Sequence, residues 1–114
     1  MDIQNQKNKG TNMNVVTPGH LYILESLEDT NPQYLQFIQK EKIEDKFVTI
    51  KDGTTNEEVL KVMIDRLKTL DEKLPSRENA IVITKLEEAL MWVEKRSNIR
   101  KTQGVYGTPL PHKS

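Results

Sequence analysis

Cysteine is missing from all 114 residues. Its absence excludes disulfides, thiolate metal sites and a cysteine nucleophile together, and suits a reducing compartment. Neither sign of charge is in excess: 17 basic and 17 acidic side chains give a formal net charge of +0. A duplex-binding protein draws most of its affinity from neutralised phosphates and is usually basic, so DNA is not an expected partner. No apolar run approaches the roughly 20 residues of a membrane span, and residues 1–14 lack the apolar core of a signal peptide. P-loop, G-x-S-x-G and H-E-x-x-H motifs are absent. The two histidines, His20 and His112, fall on turn or flexible segments with no partner at metal spacing. Nothing here implies a cofactor or an enzyme.

The 35% hydrophobic and 30% charged residues suit one small domain with a modest core. A chain this short buries only a limited fraction of its surface, so a partner subunit is expected. Polar residues 1–16 are expected to be disordered, 17–107 to form a single domain, and 108–114 to be a flexible tail. Thr17-Pro18-Gly19-His20 reads as a turn. Residues 21–27, 34–39 and 47–50 have strand character, and the short connections favour an antiparallel meander within about 20–51. The stretch 41–45 reads as a charged loop; Glu41, Glu44 and Asp45 there could face a cation, without a specific ligand pattern.

Two helices follow, over about 55–74 and 77–101. Thr55-x-x-Glu58 is a capping-box pattern, Pro75 ends the first helix, and Ser76 is placed to cap the second. The first has a seam of Leu60, Met63, Leu67, Leu70 and Leu74; the second, of Val82, Leu86, Ala89 and Val93. So short a connection requires an antiparallel hairpin. The fold class is therefore α+β: a small N-terminal antiparallel sheet, then a long C-terminal helical hairpin. Ala80-Ile81-Val82-Ile83 and Met91-Trp92 supply apolar side chains beyond the seam, and self-association through the helices would cover them.

Continuing the second seam past Val93 gives Arg96 and then Arg100. In an antiparallel hairpin Arg96 falls opposite residues near Thr54, at the start of the first helix. Two guanidinium forks beside the positive end of a helix suit a phosphate or pyrophosphate. Pairing with Glu57 and Glu58, or solvation at a helix C-terminus, explains the same arginines without a ligand. Arg77 and Asn79 open the second helix as ordinary first-turn residues, or Asn79 offers its amide to a base or ribose. Trp92 can stack on a nucleobase or anchor an interface. Tyr106, between Gly104 and Gly107, can fold over a ligand or belong to a loose tail.

The stretch Arg77-Glu78-Asn79-Ala80-Ile81-Val82-Ile83-Thr84-Lys85-Leu86-Glu87-Glu88-Ala89-Leu90-Met91-Trp92 resembles the helical-hairpin module of phage anti-defence sponge proteins. That module is shared by the anti-CBASS sponge and the first Thoeris anti-defence family. Residues 52–60, the strands before them and the glycine tail after Arg100 are closer to the Thoeris branch, and the resemblance covers about 18–107. It implies a sheet-plus-hairpin fold that forms dimers or dimer-based hexamers. It also implies capture, without degradation, of a glycocyclic ADP-ribose signal made by a TIR-domain enzyme, in pockets at subunit interfaces. Cyclic di- or trinucleotides at separate sites would extend the effect to CBASS; Arg77 and Lys85 are candidates for such a site. The implied place of action is the cytoplasm of the infected bacterial host, with neither DNA nor membrane as partner. The matching site positions are Asn79, Arg96 and Arg100, with the arginines on the pyrophosphate and Arg96 also against adenine. The sequence departs from the pattern at the wall facing the base: Thr69 lies near that place and is not aromatic, leaving Trp92, Tyr106 and Phe47 as candidates.

Two other readings stand beside this one. A protein-interaction hairpin uses the same apolar faces and makes Ile81 and Trp92, rather than the arginines, essential. A cyclic-nucleotide hydrolase needs a general base and an activated nucleophile in one pocket, and the sequence offers no such set.

Overall fold

The computed structural model describes residues 13–114 and the backbone of Gln6–Lys7. Residues 1–5 and 8–12, within the segment expected to be disordered, lie outside the described residues. The element order is β1 (Gln6–Lys7), β2 (Asn14–Thr17), β3 (Leu21–Leu24), β4 (Gln33–Gln36), β5 (Gln39–Ile43), β6 (Lys46–Lys51), α1 (Asn56–Lys73) and α2 (Arg77–Thr102). The α+β class and the order of sheet before helices agree with the sequence reading. Two compact units are present: Met1–Glu41 with Thr49–Thr54, and Lys42–Val48 with Thr55–Ser114.

In the first unit β1 to β4 form an antiparallel sheet in sequential order. Strand β2 takes Asn14 to Val16 out of the segment expected to be disordered. Val15 is buried at 6% exposure, paired with Tyr22; two adjacent valines are enough to pair with the Leu21–Leu24 strand despite polar flanks. The register shifts between Val15 and Thr17, and His20 N–H closes the Pro18-Gly19 turn on the Thr17 carbonyl at 2.9 Å. Among the described side chains of this sheet, only Val15 and Ile23 are buried.

The expected strand over 34–39 is split. Phe37 leaves β4 and bridges Thr54 in parallel. Thr54 N–H donates to the Gln36 carbonyl at 2.8 Å, and Ile38 N–H to the Thr54 carbonyl at 2.9 Å. Gly53 lies so close to this segment that a Cβ would stand 2.5 Å from the Gln36 oxygen and 2.6 Å from the Phe37 carbonyl carbon. The charged stretch expected as a loop is mostly strand: β5 and β6 pair as a two-stranded sheet, turning at Glu44, whose φ is 58°. A charged strand tolerates this position because β5 is exposed from Lys40 to Ile43.

In the second unit both helices begin on hydroxyl caps. Thr55 Oγ1 accepts from Glu58 N–H at 3.2 Å, and Ser76 Oγ from Asn79 N–H at 3.0 Å. Asp71 Oδ1 accepts from Ser76 N–H at 3.1 Å, tying the connection to α1. Leu74, the C-cap before Pro75, has φ −143° and lies outside the helix, so its side chain leaves the seam and is 77% exposed. The helices keep Leu60, Leu67, Leu86, Ala89 and Val93 of the expected seams, but Met63, Leu70, Leu74 and Val82 give way to other residues. Ile64 is buried on α1, flanked by half-buried Leu60, Leu67 and Asp71, while Met63 and Leu70 are exposed. On α2 the half-buried residues are Asn79, Ile83, Leu86, Ala89, Leu90, Val93, Ser97 and Ile99; Val82 is exposed. Four consecutive apolar residues, Ala80 to Ile83, leave the starting phase of a 3.6-residue period undetermined, and packing against α1 selects Ile83. Ile64→Ala is expected to destabilise the fold by about 2–4 kcal/mol, from lost burial and the cavity left behind; urea denaturation followed by circular dichroism measures it.

Candidate functional site

Selection of Ile83 moves the continuation of the seam. Counting from Val93 by the same steps reaches Ser97 and then Arg100, so Arg96 lies off it. Arg96 is exposed, whereas Arg100 is 8% exposed, the one buried charged residue among those described.

Arg100 stands at the end of α2, where a Schellman cap turns the chain back. Gly104, with φ 73°, donates to the Lys101 carbonyl at 3.1 Å, and Val105 N–H to the Arg100 carbonyl at 2.9 Å. The reversed tail then reaches the Arg100 guanidinium. Its Nη2 donates to the carbonyls of Val105 (3.0 Å), Thr108 (2.8 Å) and Leu110 (2.9 Å), and its Nη1 lies 2.8 Å from His112 Nδ1. A guanidinium can only donate, so Nδ1 is the unprotonated nitrogen of that ring. Gln103 clasps the far end: Nε2 donates to the Lys113 carbonyl at 2.7 Å and Oε1 accepts from Lys113 N–H at 2.9 Å. The segment 108–114, expected to be flexible, is thus hydrogen-bonded to the last turn of α2. No feature of the sequence marked His112 or Gln103 for these contacts, because they depend on where the reversed chain lands.

The Lys68–Glu87 pair, at 3.1 Å, marks which turns of the two helices lie level. Carried along straight antiparallel helices, it puts Arg96 level with Val59 and Arg100 level with Thr55. It is the single salt bridge among the described residues, so Glu57 and Glu58 neutralise neither arginine there. The other candidates are spread along α2. Arg77 is exposed and Asn79 half-buried at the hairpin turn, where Asn79 Nδ2 lies 3.5 Å from the Leu74 carbonyl. Trp92 is 60% exposed under the Lys95 ammonium, and Tyr106 is 54% exposed under that of Lys101. Trp92 and Arg96 are i, i+4 neighbours on one exposed stripe. At 1.5 Å per residue, Asn79 is about 26 Å from Arg96 and about 32 Å from Arg100 along the axis. One chain therefore brings together Trp92 with Arg96 and Arg100 with Tyr106's loop, but not Asn79 with either arginine.

An open groove of about 750 Å³ beside α2 is walled by Met91, Lys95, Asn98, Ile99, Gln103 and Lys113, among others. A second, of about 420 Å³, lies between α1 and α2 at Ile64, Leu90 and Met91. Neither includes a candidate from the sequence. Among the described residues no cluster of histidines and carboxylates could hold a metal, and no helix is long and apolar enough to cross a membrane.

Residues 36–97 match the family described as "Acb2/Tad1, hairpin domain". The chain belongs to the Acb2/Tad1 hairpin-domain family. Within that hairpin domain fall Arg77, Asn79, Trp92 and Arg96; Arg100 and its tail lie beyond the matched stretch. A relative within reach of direct comparison is "Thoeris anti-defense 1" of Bacillus phage SBSphiJ7, 47% identical over 58 residues, which are 50% of this chain and 41% of that protein. The match therefore spans about two fifths of that relative's length. Both comparisons agree with the resemblance carried by the second helix, and the phage relative agrees with the Thoeris branch indicated by residues 52–60, the strands and the glycine tail.

Proposed function

We propose that this chain is a phage anti-Thoeris sponge, binding a glycocyclic ADP-ribose signal in the host cytoplasm and holding it without chemical change. The observation that carries this reading is the pair Arg96 and Arg100. Both guanidinium groups lack a carboxylate partner among the described residues, and Trp92 stands one turn from Arg96 as a stacking surface. An anionic nucleotide satisfies both features together. The name of the phage relative supports the same assignment.

Asn79 belongs to the site only if it comes from another subunit, because about 26 Å separates it from Arg96 on its own helix. We therefore place the pocket between chains of a dimer or a dimer-based hexamer. Poor burial within one chain supports this assembly. No described side chain is fully buried, and Ile81, Val82, Met91 and Trp92 are all exposed on α2. Strand β6 is exposed along its whole length, and a lone two-stranded hairpin is marginal in water. Cyclic di- or trinucleotides form a second ligand class, with Arg77 and Lys85 as candidate contacts.

Calorimetric titration of glycocyclic ADP-ribose into the full chain tests the reading. Nanomolar uptake, with the ligand recovered intact after heat release, is the expected result. A folded chain that takes up nothing would sink it and leave the exposed apolar faces to a protein-docking role. In light scattering, the wild type is expected to have the mass of two or more chains, and Ile81→Glu/Trp92→Glu that of one. A single-chain mass for the wild type would remove the shared pocket.

A further inference from the structure

Arg100 is buried without a formal negative charge beside it, which is an unusual resting state for a guanidinium. Its neighbours are three backbone carbonyls and a neutral imidazole nitrogen. All three carbonyl oxygens converge on Nη2, which has only two hydrogens, so at least one of these contacts is shared. Carbonyl dipoles bind a guanidinium less strongly than a charged oxygen does, because charge-assisted pairs are shorter and stronger. The carbonyls thus occupy the donors that would grip a phosphate, and the burial of Arg100 leaves no room for an anion while they stay.

From this geometry we infer that residues 105–113 form a displaceable plug. The tail caps the anion-binding end of Arg100 in the free chain, and ligand phosphate must expel it. The inference rests on Arg100 being a ligand contact in the proposed sponge. Besides the three carbonyl contacts with Nη2, the plug is held by the His112 contact with Nη1 and by the Gln103 clasp on Lys113. The Schellman cap uses the amides of Gly104 and Val105, the plug's first residue, and can remain closed as the rest of the plug leaves, which makes the cap the hinge. Thr108 keeps the plug compact on its own: Oγ1 donates to the Val105 carbonyl at 2.6 Å and accepts from Leu110 N–H at 3.2 Å. Apparent affinity is reduced by the fraction of chains that are plugged, so loosening the plug strengthens binding.

Hydrogen exchange of the full-length protein, with and without saturating glycocyclic ADP-ribose, tests the plug directly. The expected result is that the Lys113 amide, held by Gln103 Oε1, loses protection when ligand binds, while the Leu110 amide stays bonded to Thr108. Increased protection there would mean that the tail closes over the ligand, which overturns the proposal. Stopped-flow association adds a second readout: Gln103→Ala/His112→Ala is expected to bind roughly tenfold faster than wild type. An unchanged or slower rate, with Arg100→Ala abolishing binding, would overturn the plug and leave the anion site standing. Full-strength binding by Arg100→Ala would instead remove Arg100 from the site, and the plug with it. Inorganic pyrophosphate serves as a control ligand: it is expected to expose the Lys113 amide at high concentration, and failure to do so while glycocyclic ADP-ribose succeeds would refute displacement by phosphate.

Discussion

Arg96→Ala is expected to weaken glycocyclic ADP-ribose binding about 10- to 100-fold, the loss of one charge-assisted contact of about 1.5–3 kcal/mol. Arg96 is the cleaner of the two arginines for this purpose. It is exposed and makes no hydrogen bond or ion pair with a described residue, so its removal should change fold stability by less than about 0.5 kcal/mol. Arg100→Ala also releases the tail, which mixes two effects. Arg96→Lys separates charge from shape: an ammonium keeps the attraction but loses the planar fork and the stacking face, so an intermediate Kd is expected. Calorimetry gives the affinities and thermal melting confirms that the variants are folded. An unchanged Kd in a folded Arg96→Ala protein would exclude this residue from the site.

Gly53→Ala is expected to destabilise the sheet unit by on the order of 3 kcal/mol. A methyl group at this position meets backbone atoms of Gln36, Phe37 and Ile38 at 2.5 to 2.8 Å, and backbone cannot turn aside as a side chain can. Relief requires the two segments to separate, which breaks the pair of hydrogen bonds between Thr54 and the backbone of Gln36 and Ile38. Urea denaturation of both proteins measures the loss. A midpoint equal to that of the wild type would show that the close approach is not required. The same variant should leave the caps of α1 and α2 intact, since those depend on Thr55 and Ser76.

Both cap hydroxyls, the stop at Pro75 and the antiparallel hairpin are legible from the chain because each depends on residues within a few positions of one another. Val15 was concealed by polar neighbours, and its strand is visible only through its pairing with Tyr22. The split of residues 34–39 depends on Thr54, well over a dozen positions away, which no local pattern can show. The helix seams are an intermediate case. Periodicity correctly marks two amphipathic helices, but several apolar residues side by side allow more than one phase. Ile64 and Ile83 face the partner helix in place of Met63 and Val82.

That difference of phase is what separates the two arginines. The α+β order, the helix boundaries to within a few residues and the hairpin can be read from the chain alone, because local propensity, caps and spacing are properties of neighbouring residues; the resemblance to the sponge hairpin rests instead on the residues of 77–92. Tertiary structure alone decided that Arg96 is exposed while Arg100 is buried under its own tail, and that His112 and Gln103 hold that tail in place. The reason is physical. Which side of a helix is covered, and where a reversed chain lands, are set by packing and by hydrogen bonds that no periodicity encodes.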